Sequence, residues 1–431
     1  MRARALLIML VLPLLSCAAL TGSPAATQAA QQARQNAFLI KPYVNWVDTS
    51  SAHVVWVSGP QAPAGSVTAR CADQEVKAGA GATPIAGRAE LLHVATLKGL
   101  RAGARYEYSA SCGAESEQGA FRTAPAGAVP MRFAVYGDTR SNPDDHAAVS
   151  RAIAAERPEF VAHTGDFVSD GAVWDLWRPE FFGPARPFLQ DATFWPVRGN
   201  HEGDAVLYRA LFVLPGNELY YSFDYGNVHF IVLDSQLGGR QREAMVRWLE
   251  KDLARTDAEW ILASYHIPTF NVGGHGSKWG REDVLPVLEK GGVDFVLNGH
   301  SHVYERFLPI GPVGEKPIIH VVTGGGGAPR YSVRASPILV GGIGLSMLNY
   351  CVFEVDGDHL KMTAKMPDGS VLDELKLVKH NGRFQDEIMA QAVETKWAEG
   401  VISIFKKVKK KVDCRLVMCG NMAPDDPEGQ G

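Results

Sequence analysis

The sequence predicts an α/β chain preceded by a small all-β unit, and three observations carry that prediction. From Met131 onward, apolar runs of strand length alternate with helical segments, the pattern of a sheet covered by helices. Five of these runs end in short polar motifs: Gly137-Asp138, Gly165-Asp166, Gly199-Asn200-His201-Glu202, Tyr265-His266 and Asn298-Gly299-His300-Ser301-His302. Their polar side chains therefore belong to loops at strand ends. Before Ala124, short runs of alternating facing are punctuated by Gly and Pro, which reads as all-β.

At 431 residues the chain is long enough for two domains, and a net charge of -4 gives no reason to expect nucleic acid as a partner. Arg2 and Arg4 precede the apolar run Leu6 to Leu15, too short to span a bilayer and typical of a signal peptide. Leu14-Leu15-Ser16-Cys17 resembles a bacterial lipobox, so residues 1–17 read as a lipoprotein signal and Cys17 as a lipid anchor to a membrane. Cleavage near Ala26 or Ala30, giving a secreted protein, is the rival. Residues 18–36 form an Ala- and Gln-rich linker. Of the six cysteines, Cys71 with Cys112 and Cys414 with Cys419 are the expected pairs, leaving Cys351 as a free thiol.

Residues 37–125 form the all-β unit, and the stretch Leu97 to Tyr108 looks like a fibronectin-type or immunoglobulin-like sandwich. Its expected role is spacer or packing partner. Ala124 to Pro130 is a Pro-, Ala- and Gly-rich boundary, after which residues 130–378 carry the alternating elements. Strands are expected at 132–136, 159–163, 228–233, 260–265, 293–297 and 318–322, with helices at 144–156 and 241–254. Tyr350 to Val355 and Leu360 to Ala364 read as a hairpin around Asp356-Gly357-Asp358. In the tail, residues 379–431, one amphipathic helix is expected from Phe384 to Val412, ending in a lysine cluster at Lys406 to Lys411.

Carboxylate, amide and imidazole groups at five strand ends make the mixed oxygen and nitrogen set that suits zinc, iron or manganese. The five motifs, in this order, resemble the calcineurin-like metallophosphoesterase superfamily, and within it the purple acid phosphatase branch with its N-terminal β domain. The run Val322-Thr323-Gly324-Gly325-Gly326-Gly327-Ala328-Pro329 is similar to that branch as well. The resemblance implies a β-sandwich flanked by helices and two metal ions, with Asp166 bridging. Asp138 and His302 would hold the first ion, and Asn200, His266 and His300 the second. It further implies that a hydroxide held by the ions attacks a small phosphate ester, while His201 contacts substrate or protonates the leaving group.

Two positions depart from the family pattern. Where purple acid phosphatases have a metal-binding tyrosine, three residues after the bridging Asp, this chain has Ser169. Where many other members have a His, two residues after the first Asp, it has Arg140. Water, Ser169, Asn142 or His146 are candidates to complete the first ion. Arg140 reads as a bidentate phosphate clamp or, equally, as an ion-pair partner of Asp144. His275, in a Gly-rich loop, looks like the family's substrate-side histidine, with a solvated loop residue as the alternative. Tyr304 is expected to line the pocket, Glu202 to hydrogen-bond the loop around it, and His163 to be a buried hydrogen-bonder. Arg330 and Tyr331 border the entrance without an assigned role. The leading reading is an exported phosphomonoesterase. A phosphodiesterase or nucleotide hydrolase on the same site, and a non-catalytic lipid-anchored binding protein, are the alternatives.

Overall fold

The computed structural model describes residues 37–407, so the leader, Cys17, Cys414, Cys419 and most of the lysine cluster lie outside the described residues. Seven strands open the chain: β1 (Ile40–Val47), β2 (Ser51–Ser58), β3 (Gly65–Cys71), β4 (Gln74–Pro84), β5 (Leu91–Lys98), β6 (Arg105–Cys112) and β7 (Glu115–Arg122). β4 pairs with β3 through residues 74–79 and with β5 through residues 80–84, so it turns the corner between two layers. Trp56, Val67, Leu97, Tyr106 and Phe121 fill the space between them.

The expected disulfide between Cys71 and Cys112 does not form, and both thiols are free. β3 and β6 run antiparallel with Cys112 opposite Gly65, which puts Cys71 six residues further along β3. At about 3.4 Å per residue that is roughly 20 Å, far beyond disulfide reach. Cys351 is a buried free thiol, as expected.

From Met131 the chain builds two facing sheets. β8 (Met131–Tyr136), β9 (Phe160–His163) and β10 (Thr193–Pro196) are parallel neighbours. β11 (Tyr221–Tyr225), β12 (Val228–Val232), β13 (Trp260–Ser264), β14 (Phe295–Asn298), β15 (Tyr304–Arg306) and, after the short β16 (Ile310–Gly311), β17 (Ile319–Thr323) make a six-stranded sheet ordered β11-β12-β13-β14-β17-β15. Stacked phenylalanines, Phe133 on Phe160 and on Phe353, and edge-on Phe230, hold the two sheets together. Helices α1 (Pro143–Ala155), α2 (Gly239–Leu253) and α3 (Leu285–Lys290) pack outside, α2 burying Met245, Leu249 and Leu253. This is an α/β sandwich flanked by helices. β18 (Tyr350–Asp356) and β19 (His359–Lys365) form the expected hairpin, turning at Gly357 with φ +58°, and β20 (Val371–His380) extends it.

The tail differs from the expected single helix. β21 (Arg383–Phe384), α4 (Asp386–Ala390), β22 (Val393–Glu394) and α5 (Thr395–Lys407) follow one another, because Val393 and Glu394 pair in parallel with Ile310 and Gly311 of β16. A tertiary strand contact thus overrides the helical periodicity there. No described helix is long and apolar enough to cross a membrane.

Candidate metal centre

Parallel strands of both sheets end at one place, and their carboxyl ends carry the site. Asp138 follows β8, Asp166 follows β9, Asn200 and His201 follow β10, His266 follows β13, and His300 and His302 follow β14. Three of these residues have left-handed backbone: Asp138 (φ +59°), Asp166 (φ +59°) and His300 (φ +66°). Such strain in non-glycine residues persists only where the surroundings enforce it. Glu202 is part of that enforcement. Its carboxylate accepts the backbone N–H groups of Asp166 (3.0 Å), Phe167 (2.8 Å) and Gly199 (2.7 Å), the loop role expected of it. Glu202→Gln turns an amide N–H toward one of those donors. It is expected to lower stability by about 1–3 kcal/mol, read as a fall in Tm.

Ligand atoms of Asp138, Asp166 and His266 lie within 4.8 Å of one another, all three residues buried. His266 Nδ1 faces the Thr164 carbonyl at 2.9 Å, which places that proton on Nδ1 and aims Nε2 inward. Nε2 then lies 3.2 Å from Asp166 Oδ1 and 3.0 Å from Asn200 Oδ1. Burial alone lowers this imidazole, yet the Asp166 carboxylate lifts it to about 9. A cation entering there takes the place of the proton, the exchange expected of a metal site. Asn200 Oδ1 also lies 3.0 Å from His300 Nδ1, whose imidazole is held well below its ordinary range by burial and by His266. On the other side His302 Nδ1 donates to the Pro329 carbonyl at 2.7 Å, so Nε2 faces Asp138 Oδ1 at 3.5 Å. Carboxylate, amide and imidazole atoms converging in a buried place are the donor set that fits a pair of cations. All six predicted ligands are brought together.

The Gly-rich run clamps the first loop from outside the ligand set. Gly326 N–H donates to the Gly137 carbonyl and Ala328 N–H to the Asp138 carbonyl, both at 2.8 Å. A Cβ on Gly326 would strike that same Gly137 carbonyl, so only glycine admits the approach.

The ligands open onto a cavity of 830 Å³ whose walls include Arg140, Asp166, Ser169, Asn200, His201, His275, His300, His302 and Tyr331. No residue of the all-β unit lines it. Arg140 lines this cavity, with Nε 3.9 Å from Asp166 Oδ2. His201 donates from Nδ1 to the Ser169 carbonyl at 2.7 Å, leaving Nε2 on the cavity side, 3.8 Å from Asp166 Oδ2. His275 Nε2 meets the Tyr331 hydroxyl at 2.9 Å.

Some expected positions lie elsewhere. Tyr304 does not line the cavity: it stands on β15 opposite Thr323, and the pleat sends its ring into the core between the sheets, where its hydroxyl donates to Asp373 at 2.6 Å. Asn142 donates from Nδ2 to the Gly327 carbonyl at 2.9 Å, and both nitrogens of His146 are engaged, by the Tyr136 hydroxyl and the Glu180 carbonyl. His163 is buried against Phe167 and bonded to Thr139, as expected. Tyr331 acquires a role the sequence left unassigned, stacking on His302 at 4.1 Å while holding His275.

Residues 131–304 match the calcineurin-like phosphoesterase family. Among curated relatives, the chain is similar to purple acid phosphatase 22 of Arabidopsis thaliana, 29% identical over 267 residues, 55% of this chain and 58% of the relative. It is also similar to acid phosphatase type 7 of Mus musculus, 30% identical over 262 residues, 51% of this chain and 57% of the relative. The chain thus spans less than two thirds of these relatives' length. A purple acid phosphatase from yellow lupin (Lupinus luteus) seeds shares the fold, with a TM-score of 0.66 at 21% identity, covering 81% of this chain and 75% of that one.

Proposed function

We propose that the chain, whose residues 131–304 match the calcineurin-like phosphoesterase family, hydrolyses phosphomonoesters with a pair of bound cations. The observation that carries this reading is the convergence of six carboxylate, amide and imidazole side chains from five strand ends: Asp166, Asn200, His300 and His302 on the wall of one cavity, with Asp138 and His266 buried directly behind them. Asp138 and His302 would hold one ion, Asn200, His266 and His300 the other, with Asp166 between them. When bound, such ions act as Lewis acids toward a phosphoryl oxygen and acidify a water. The side chains supply the rest. The Arg140 guanidinium offers paired N–H donors to non-bridging phosphate oxygens, where negative charge grows in the transition state. His201, with Nδ1 engaged by a carbonyl, presents Nε2 to the departing oxygen and can carry a proton to it. The His275–Tyr331 pair forms part of the same cavity wall, against His300 and His302, where it would contact substrate.

The deciding experiment assays metal-loaded protein on an aryl phosphomonoester, a bis-aryl phosphodiester and nucleotides. Preference for the monoester supports the proposal. Preference for the diester or a nucleotide moves the substrate class, and full metal content without turnover of any ester leaves the binding-protein reading.

Iron-loaded protein is expected to be colourless, since Ser169 stands where a tyrosinate ligand would produce visible charge transfer. An absorption band in the visible region of the iron-loaded protein would contradict this. The signal-like run ending at Cys17 supports the further proposal of export and lipidation. Mass measurement of the mature protein tests it, and a chain still beginning at Met1 would overturn it.

A further inference from the structure

We infer that Glu180 is a positioning residue that holds Arg140 and His201 toward the same face of the cavity, an inference that rests on the phosphohydrolase reading above. Glu180 stands on a π-helical turn, Trp177–Phe182, the rare helical form whose wider ring moves a side chain out of ordinary register. Its carboxylate accepts the Ser169 N–H at 2.6 Å and the Ser141 N–H at 3.2 Å, and the Ser169 hydroxyl lies 3.0 Å from each of its oxygens. The two serine hydroxyls are 3.0 Å apart. From this knot one arm runs through Ser141 Oγ, which Arg140 Nη1 reaches at 3.3 Å. The other runs through the Ser169 carbonyl, which accepts His201 Nδ1 at 2.7 Å.

One carboxylate therefore ties the loop after Asp138 to the loop after Asp166. Each candidate phosphate contact is a single side-chain or backbone step away from it. The tie acts on strained backbone, because Ser141 has φ +74°, a conformation that a serine keeps only when held. Glu180 itself does not line the cavity, whereas Arg140, Ser169 and His201 do. Its action on substrate is thus indirect, through the aim of a guanidinium and an imidazole. A displacement of about 1 Å in such groups is enough to cost on the order of a hundredfold in rate.

The test uses Glu180→Ala and Glu180→Gln, each alone and with Arg140→Met, in the full metal-loaded protein. It reads metal content, affinity for inorganic phosphate, and kcat and KM for an aryl phosphomonoester. Glu180→Ala is expected to keep both ions, weaken phosphate binding about tenfold and lower kcat/KM by roughly 10- to 100-fold. Glu180→Gln, which keeps an acceptor for the two N–H groups, is expected to recover most of the loss. In the Arg140→Met background the alanine change should weaken phosphate binding and lower kcat/KM by clearly less than it does in wild type, because the Arg140 arm is already lost and only the His201 arm remains to be released. Fully additive losses, unchanged phosphate affinity, or loss of ions in step with activity would each overturn the inference. Should Glu180→Ala not fold, Ser141→Ala decides: it severs the Arg140 arm alone, and phosphate affinity equal to wild type counts against the brace. If wild-type protein binds two ions yet turns over no ester, the phosphohydrolase reading fails separately, while phosphate affinity still reports on the brace.

Discussion

Asp166→Asn is expected to remove turnover by on the order of a thousandfold or more and to leave the protein with one bound ion or none. Asp166 is where the two halves of the centre meet. Oδ1 accepts the His201 N–H at 3.0 Å and faces His266 Nε2 at 3.2 Å, while Oδ2 faces His201 Nε2 and Arg140 Nε at 3.8 and 3.9 Å. Burial pushes this carboxyl up, but His266 and His201 together outweigh burial and hold it below its ordinary range. Asparagine matches its shape and still accepts the His201 N–H, so the loop has no steric reason to move. On the proposed reading, what disappears is the anion that would lie between the two ions, and with it the offset to their mutual repulsion. Metal analysis beside a thermal melt separates the effects. An unchanged melt with depleted metal is the expected pair, and two retained ions with full turnover would remove Asp166 from the mechanism.

Gly299→Ala is expected to be nearly as damaging, although the added group is a single methyl. A Cβ at this position would run into the Asp138 carboxylate and the Thr164 hydroxyl. Neither can swing away freely, because the Asp138 oxygens are pinned by the His300 N–H at 2.9 and 3.0 Å and Thr164 is fully buried. Gly299 does not have positive φ, so an alanine meets no backbone objection and the effect isolates the collision. Overpacking of this kind costs about 1–3 kcal/mol. The larger consequence is rotation of Asp138 away from His302, with loss of the ion they share. Metal content and kcat/KM read that directly, and an alanine variant that keeps both ions would show that the loop has room.

The convergence of the candidate ligands was legible because each member follows an apolar run, and parallel strands deliver their carboxyl ends to a common place. Asp138, Asp166, Asn200, His266, His300 and His302 needed no knowledge of loop shape. Other positions did. Tyr304 lies two residues past His302, yet pairing of its strand with the neighbouring one turns its ring the opposite way. Glu180 sits in a short aromatic-rich stretch with no polar motif, and only the folded chain brings it to Ser141 and Ser169. Tyr331 was visible as a residue near the entrance, but its stack on His302 depends on how the Gly-rich run bends back. The Cys71–Cys112 pairing failed for a related reason: which residue of β3 faces Cys112 is a matter of register, and spacing in the sequence does not encode it.

The pairing of β1 has a consequence for the N-terminal unit. β1 lies between β2 and β10, in register with β10 at Val44 and Thr193 and at Asn45 and Phe194, and the Asn45 amide and the Arg186 guanidinium add bonds across the same seam. A truncated protein starting near residue 130 would therefore bare the outer rim of β10, a row of unsatisfied amides and carbonyls that invites pairing with another molecule. On this pairing the opening sandwich would cap that rim, and residues 130 onward, released from it, are expected to self-associate.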